Sequence, residues 1–337
     1  MLRVPFADLF AALHRAMLDL GLVEERAAHC ARLFAETTRD GVYTHGLNRF
    51  PRFVETVRNG SVDINAEPTK TAGLGAIERW DGHRGVGNLN AYASMQRAIE
   101  LARQNGIGAV ALANTNHWMR GGTYGWQSAD QGLFAICWTN TLANLPAWGA
   151  TTPTLGNNPL VIAIPRPGGH VVLDMAMSQF SYGSLSAYSK RGELLPVDGG
   201  FDADGNLTKD AAAIEESQRA LPIGYWKGSG LSLVLDMLAA MLSGGHATHE
   251  IPLDPLRESG ISQIFLAVDP GFIANAQEIN QISDGILQSL RDATPVDPSK
   301  PIRYPGEQTL HLREENMRLG VPVDPEIWQR ISTSALP

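Results

Sequence analysis

Cysteine is nearly absent. The two in 337 residues, Cys30 and Cys137, stand in unrelated contexts. Two are too few for a disulfide framework and form no paired zinc motif, so a reducing cytoplasm is the expected compartment. Long apolar runs are missing as well. None approaches the ~20 residues a membrane helix needs. The opening Met-Leu-Arg-Val-Pro-Phe-Ala-Asp lacks the apolar core of a signal peptide. Positive charge is in deficit, with 27 Lys and Arg against 35 Asp and Glu and a net charge of −8. That balance argues against nucleic-acid and membrane partners, and an anionic substrate would need a local basic pocket.

Familiar catalytic signatures are lacking too. A Rossmann fingerprint needs Gly-x-Gly-x-x-Gly between a strand and the helix it opens. Gly106-Ile107-Gly108 follows a helical run and leads into a strand, the reverse context. Gly85-Val86-Gly87 and Gly228-Ser229-Gly230 stop short of the third glycine. The latter is also too short for a serine nucleophile elbow. His246-Ala247-Thr248-His249-Glu250 lacks the His-Glu-x-x-His order and follows a helix stop at Gly244-Gly245, so no metal site is assigned. A metal-dependent hydrolase or lyase using His246 and His249 stands as the alternative of a different class. A non-catalytic sugar-acid sensor is a third reading.

What is present has the texture of a two-domain globular enzyme, 44% hydrophobic and 18% charged. Apolar spacing predicts helices over 6–20, 23–38 and 47–57, with Pro51 tolerated in a first turn. Strands follow at 73–80, 106–113, 133–139, 159–165, 170–175 and 264–268. Helices are predicted at 88–104, 180–189 and 228–242, with a turn-rich excursion at 196–206. Beyond residue 274, helical stretches alternate with Pro-rich breaks. The simplest assembly is an α/β (α+β) chain whose C-terminal helices fold back onto the N-terminal ones. Residues 1–71 plus 261–337 then form a mainly helical, discontinuous domain. Residues 72–260 form a sheet domain inserted in it.

Three polar clusters carry the chemistry. Gly41-Val42-Tyr43-Thr44-His45-Gly46-Leu47-Asn48-Arg49-Phe50 joins a His, which exchanges protons near neutrality, to an Arg suited to a carboxylate. A lone loop His is as often a surface residue, but Tyr43, Thr44, Asn48 and Arg49 favour chemistry. Asn116-His117-Trp118-Met119-Arg120-Gly121-Gly122 lies just past a strand end, where binding groups concentrate. Gly224-Tyr225-Trp226-Lys227-Gly228-Ser229-Gly230 sets a Lys at a helix start, a place that favours anions. The carboxylate partner is open among Arg49, His117, Arg120 and Lys227.

In their combination these segments, with Pro196-Val197-Asp198-Gly199-Gly200-Phe201-Asp202, resemble the LDH2/MDH2 oxidoreductases, the type 2 malate/L-lactate dehydrogenases unrelated to the Rossmann type. The resemblance spans nearly the whole chain. It implies a non-Rossmann nicotinamide domain built on a largely antiparallel sheet, and a homodimer with the active site near the subunit boundary. It implies NAD(H) as cofactor, with NADP(H) the alternative, and reduction of the C2 ketone of a small 2-oxo acid. Malate/lactate-type hydroxy acids and cyclic imine acids are the related alternatives. His45 is implied to be the proton donor, acting as an imidazolium. Cofactor contacts are implied at His170, Val171, Val172, Leu173, Asp174, Met175 and Ala176, at Trp226 and Lys227, and at Gly306, Glu307 and Gln308.

Overall fold

The computed structural model describes residues 2–333. Strand β1 (Leu2–Val4) leads into helices α1 (Phe6–Asp19) and α2 (Glu24–Arg39). Two short 3₁₀ turns, Tyr43–His45 and Leu47–Arg49, connect these to α3 (Phe50–Arg58), which carries Pro51 in its first turn. A missing N–H costs nothing there. Leu9, Leu13 and Met17 of α1 pack with Cys30, Leu33 and Phe34 of α2 and with Phe50 and Phe53 of α3.

A second texture begins with β2 (Thr69–Leu74) and β3 (Ile77–Asp81), followed by α4 (Gly87–Asn105), β4 (Ile107–Thr115), α5 (Gly122–Ala129) and β5 (Phe134–Thr139). The single strand expected over 73–80 is therefore a hairpin. Gly75 turns the chain at φ +57°, a left-handed geometry that breaks the run in two. Next come β6 (Leu145–Pro146), β7 (Pro153–Leu155), β8 (Leu160–Ile164), β9 (Val171–Met175) and α6 (Tyr182–Arg191). The turn-rich excursion contains β10 (Gly200–Phe201) and is closed by β11 (Leu207–Thr208). Then follow α7 (Ala211–Ser217), α8 (Trp226–Ser243), β12 (Ile261–Val268), α9 (Ala276–Arg291), α10 (Glu307–Leu319), β13 (Val321–Val323) and α11 (Pro325–Ser332).

Seven strands form the main sheet in the order β2-β3-β4-β12-β5-β8-β9. Every neighbouring pair is antiparallel except β3 and β4, which α4 connects as a crossover. Alternation along the strands feeds two cores. Val110, Leu112, Phe265 and Cys137 face α4 and α5. Ala111, Ile264 and Trp138 face α8, with α6 and α7 beyond. The helices thus sandwich the sheet. Gly106 and Gly108 are explained by this packing and not by a phosphate. Gly106 ends α4, and a Cβ on Gly108 would fall 2.1 Å from the Ala98 carbonyl.

Strand β12 occupies the centre of the sheet, paired on both edges. Residues 261–268 thus have their backbone groups satisfied within the sheet. Downstream, β13 pairs with β1, and Val321, Val323 and Ile331 enter the core of the first three helices.

Candidate active site

His45 ends a 3₁₀ turn whose position is fixed from below. The Leu47 N–H donates to Thr38 Oγ1 at 2.8 Å, and that hydroxyl donates to the Phe34 carbonyl at 2.8 Å. Between them Gly46 lies so close to α2 that a Cβ would stand 2.3 Å from Thr38 Oγ1 and 2.8 Å from its backbone nitrogen. Only glycine fits. The turn presents His45 to His117, the two rings stacking with centroids 5.9 Å apart. Thr44 Oγ1 lies 3.0 Å from His45 Nδ1.

His117 stands in the loop after β4. The Met119 N–H donates to its Nδ1 at 3.0 Å, so the neutral ring carries its proton on Nε2. Burial, with the charge of Arg49 next, holds His117 well below the ordinary histidine range. Burial likewise brings His45 down to about 4, with Arg49 and Arg120 adding repulsion. Dehydration and the two neighbouring cations favour the neutral ring.

Two contiguous cavities open beside the pair, of about 230 Å³ and 330 Å³, sharing Thr44, His45, His117, Thr141, Asn157 and Ser181. The first reaches Gly121, Asp174 and Ala176, toward the end of β9. The second reaches Arg49, Arg52, Asn144, Tyr182 and Glu258. The cleft therefore lies between the helical segment and the sheet.

The four candidates for the carboxylate separate by their commitments. The Arg49 guanidinium makes no hydrogen bond among the described residues; its nearest acid is Glu258, 3.7 Å away. Burial lowers its guanidinium to about 10, with Arg52 adding to this and Glu258 opposing it. Arg120, 5% exposed, donates from Nη1 to Asp40 Oδ2 at 2.8 Å, while its buried Nε has no partner. His117 keeps Nε2–H free to donate. Lys227 is exposed at the start of α8 and lines neither cavity, as does Trp226 beside it.

Two of the three expected cofactor segments meet. Val171–Met175 forms an edge of the sheet, and the Val172 N–H donates to the Pro305 carbonyl at 2.9 Å. Gly306, at φ +97°, sits where a Cβ would be 3.0 Å from Val172 N and 3.1 Å from His170 O. Glu307 is paired with Arg291 at 3.0 Å, and Gln308 accepts from Arg303. His170 accepts the Arg166 N–H on Nδ1, and its Nε2 lies 3.0 Å from Asp130. Asp174 stands at the cleft wall and accepts the Gly122 N–H at 2.8 Å. Burial pushes its carboxyl up, opposed by Arg120 and that N–H. Leu173, Met175 and Ala176 continue the same edge toward His45. An orphaned Arg120 nitrogen, a strand edge with spare backbone groups, and a cavity beside His45 together suit a flat, amide-bearing ring with an anion next to it.

Sequence reasoning did not single out Glu258 or Asn144. Each lies in an unremarkable stretch, and only the fold brings it to the cleft or its wall. Among the described residues, no group of three or more His, Cys, Asp or Glu is placed to hold a metal ion.

Comparison with known proteins agrees with this geometry. Residues 4–332 match the family model described as malate/L-lactate dehydrogenase. The chain is 48% identical over 330 residues to a 2,3-diketo-L-gulonate reductase of Shigella boydii, covering 98% of this chain and 99% of that protein. Its identity to the same-named reductase of Escherichia coli K12 is also 48%, with the same coverage. A δ1-piperideine-2-carboxylate reductase from Pseudomonas syringae superposes at a TM-score of 0.89 with 27% identity, covering the whole of both chains. An E. coli structure described as a malate/lactate dehydrogenase superposes at 0.92 with 26% identity, covering 100% of this chain and 96% of that one. The chain is a member of the malate/L-lactate dehydrogenase family, on a mixed α/β fold with a mainly antiparallel sheet.

Proposed function

We propose that the chain reduces the C2 ketone of a 2-oxo acid with NAD(P)H, and that 2,3-diketo-L-gulonate is converted to 3-dehydro-L-gulonate. The observation that carries this reading is the stacked His45–His117 pair beside a half-buried Arg49 with uncommitted donors. The whole-length identity to reductases of that name supports the substrate.

In this reading the substrate carboxylate docks on Arg49, a half-buried cation of the cleft whose fork is not already spent. Burial chiefly depresses His45, and the anion offsets the added repulsion of Arg49 and Arg120, so proton uptake accompanies binding. His117 donates from Nε2 to the carbonyl oxygen and keeps the ketone facing the first cavity. The nicotinamide supplies a hydride to C2 when bound there. As negative charge grows on the carbonyl oxygen, His45 gives it a proton. Arg120, held by Asp40, adds a fixed positive field to the wall behind.

The edge from His170 to Ala176 and the segment Gly306 to Gln308 would hold the nicotinamide cofactor. NADH is the proposed form, with NADPH open. Asp174 and the spare backbone groups of this edge hold its amide, and Trp226 and Lys227 reach it from a second protomer. The face of α8 supports a homodimer. Its buried side, with Ser232, Leu235 and Ala239, packs on the sheet, whereas Leu233, Val234, Met237 and Met241 are exposed. Large apolar side chains at helical spacing on the outer face call for a cover, and a second copy supplies it. No helix is long and apolar enough to cross a membrane among the described residues, and a cytoplasmic location is proposed. The helical unit consists of the residues up to 71 and those after Val268, with the cleft at its seam with the sheet.

A panel of 2-oxo acids and cyclic imine acids, followed by nicotinamide absorbance with NADH and NADPH, tests the reading. Turnover of the diketo acid above pyruvate, oxaloacetate and piperideine carboxylate is expected. Preference for the imine would move the assignment to the relative it superposes on. Activity that needs a metal and no nicotinamide would end the reading.

A further inference from the structure

The loop Pro255-Leu256-Arg257-Glu258-Ser259-Gly260 delivers Glu258 into the second cavity, 7% exposed. Its Oε2 stands 3.7 Å from Arg49 Nη2 and 3.6 Å from Arg52 Nη2. Its Oε1 receives the Leu142 N–H at 3.4 Å. One carboxylate is thus shared between two guanidiniums at distances too long to saturate either. Arg52 is further tied to the Pro255 carbonyl through Nε at 3.0 Å. The three side chains sum to a single positive charge, facing a cavity of about 330 Å³. On the same wall, Asn144 Oδ1 is buried with no partner. It is an acceptor awaiting a donor such as a hydroxyl.

We propose that Glu258 is the charge selector of this cleft. It cancels one of the two guanidinium charges, so that the site accepts 2-oxo acids with one carboxylate and a hydroxylated tail and turns dicarboxylates away. The inference rests on the reading of the chain as a 2-oxo acid reductase and adds the residue that decides which acids enter. The first carboxylate meets the net positive charge. A second one in the same cavity meets Glu258 and finds no cation left. Tail hydroxyls, in contrast, donate to Glu258 and Asn144. Selection of this kind works by mismatch as much as by attraction.

The test compares the wild type with Glu258→Gln, Arg52→Gln and the double variant. kcat and KM are measured for a hydroxylated monocarboxylic 2-oxo acid, pyruvate and oxaloacetate. The wild type should favour the monocarboxylates. Glu258→Gln should raise the oxaloacetate-to-monocarboxylate ratio of kcat/KM by about tenfold or more, mostly through KM, as befits one charge a few ångströms away. The double variant restores the single net charge and should bring the ratio back. Arg52→Gln alone should raise KM for the monocarboxylates. Circular-dichroism melts report whether each variant folds. If Glu258→Gln does not fold, inhibition of the wild type by malonate against that by acetate carries the test, and equal inhibition would overturn the proposal. A folded Glu258→Gln with an unchanged ratio would overturn it too, as would a double variant that keeps the altered ratio. A wild type that oxidises neither NADH nor NADPH with any 2-oxo acid removes the parent reading instead.

Discussion

Replacing Asp40 by Ala probes the wall behind the His45–His117 pair. Asp40 is 4% exposed and is the hub of a charge cluster. It accepts from Arg120 Nη1 at 2.8 Å, from Arg313 Nε and Nη2 at 2.9 and 2.8 Å, and from Arg39 Nε at 2.9 Å. Burial alone would push its carboxyl up; the Arg313 hydrogen bonds, with the charges of Arg120 and Arg39, outweigh this and bring it down to about 2. The pair itself is weak evidence of stability, but breaking it leaves Arg120 buried without a counter-ion, which costs about 3–5 kcal/mol. At roughly 2.1 cal/mol/K per residue, the melting entropy of a chain of 337 residues converts that loss into a fall in Tm of about 4–7 °C. Asp40→Ala should also raise KM for the 2-oxo acid, because Arg120 then relaxes out of the cleft wall. Arg313→Met should cost less, since Asp40 keeps Arg120 satisfied. Differential scanning calorimetry and steady-state kinetics on the two variants suffice. An Asp40→Ala protein that melts within a degree of the wild type with unchanged KM would refute the reasoning.

Acid should weaken the fold in a specific window. His29, buried near Arg32 and Arg26, is lowered to about 4, as is His45. Both then bind fewer protons in the folded than in the unfolded chain between about pH 6.5 and 4. Stability is therefore flat above that window and falls as pH drops through it, by about 2 kcal/mol per histidine between pH 7 and 5. Urea melts at the two pH values measure this, and equal stabilities would contradict it. Asp40 adds a further loss only at lower pH, as it falls from 3.8 toward about 2. For reduction, kcat/KM should fall as pH rises above about 4, since it reports His45 in the free enzyme. The profile of kcat, which reports the ligated form, should break at a higher pH; coincident profiles would remove the proposed link between anion binding and the proton. Met237→Glu on the exposed face of α8 should convert a dimer to monomers in analytical ultracentrifugation and depress activity with it. A wild type that sediments as a monomer at micromolar concentration would remove this interface.

Much of the fold could be read from spacing, and the exceptions have identifiable causes. Helices such as Phe6–Asp19 and Glu24–Arg39 bury one stripe and announce it at i, i+3 and i+4. The β2–β3 hairpin was hidden because the residues of β2 are all exposed and the turn at Gly75-Ala76 carries no Asn-Gly or Asp-Gly pair. The central place of β12 was invisible for another reason: a strand's partners depend on contacts more than a hundred residues away, with β4 and β5. His45, Arg49, His117 and Arg120 were legible as polar clusters at turn and strand ends. Their division of labour was not, since only geometry reveals that Asp40 occupies Arg120 and leaves Arg49 free. Nor did the local sequence of Glu258 hint that it would face two arginines some two hundred residues earlier.

The account depends above all on His45 as the proton donor. The most direct measurement is single-turnover reduction of the 2-oxo acid by His45→Ala with NADH already bound, read by nicotinamide absorbance. The prediction is a variant that folds, binds NADH as the wild type does, and transfers hydride roughly a hundred- to ten-thousandfold more slowly. Hydride transfer at close to the wild-type rate would contradict it.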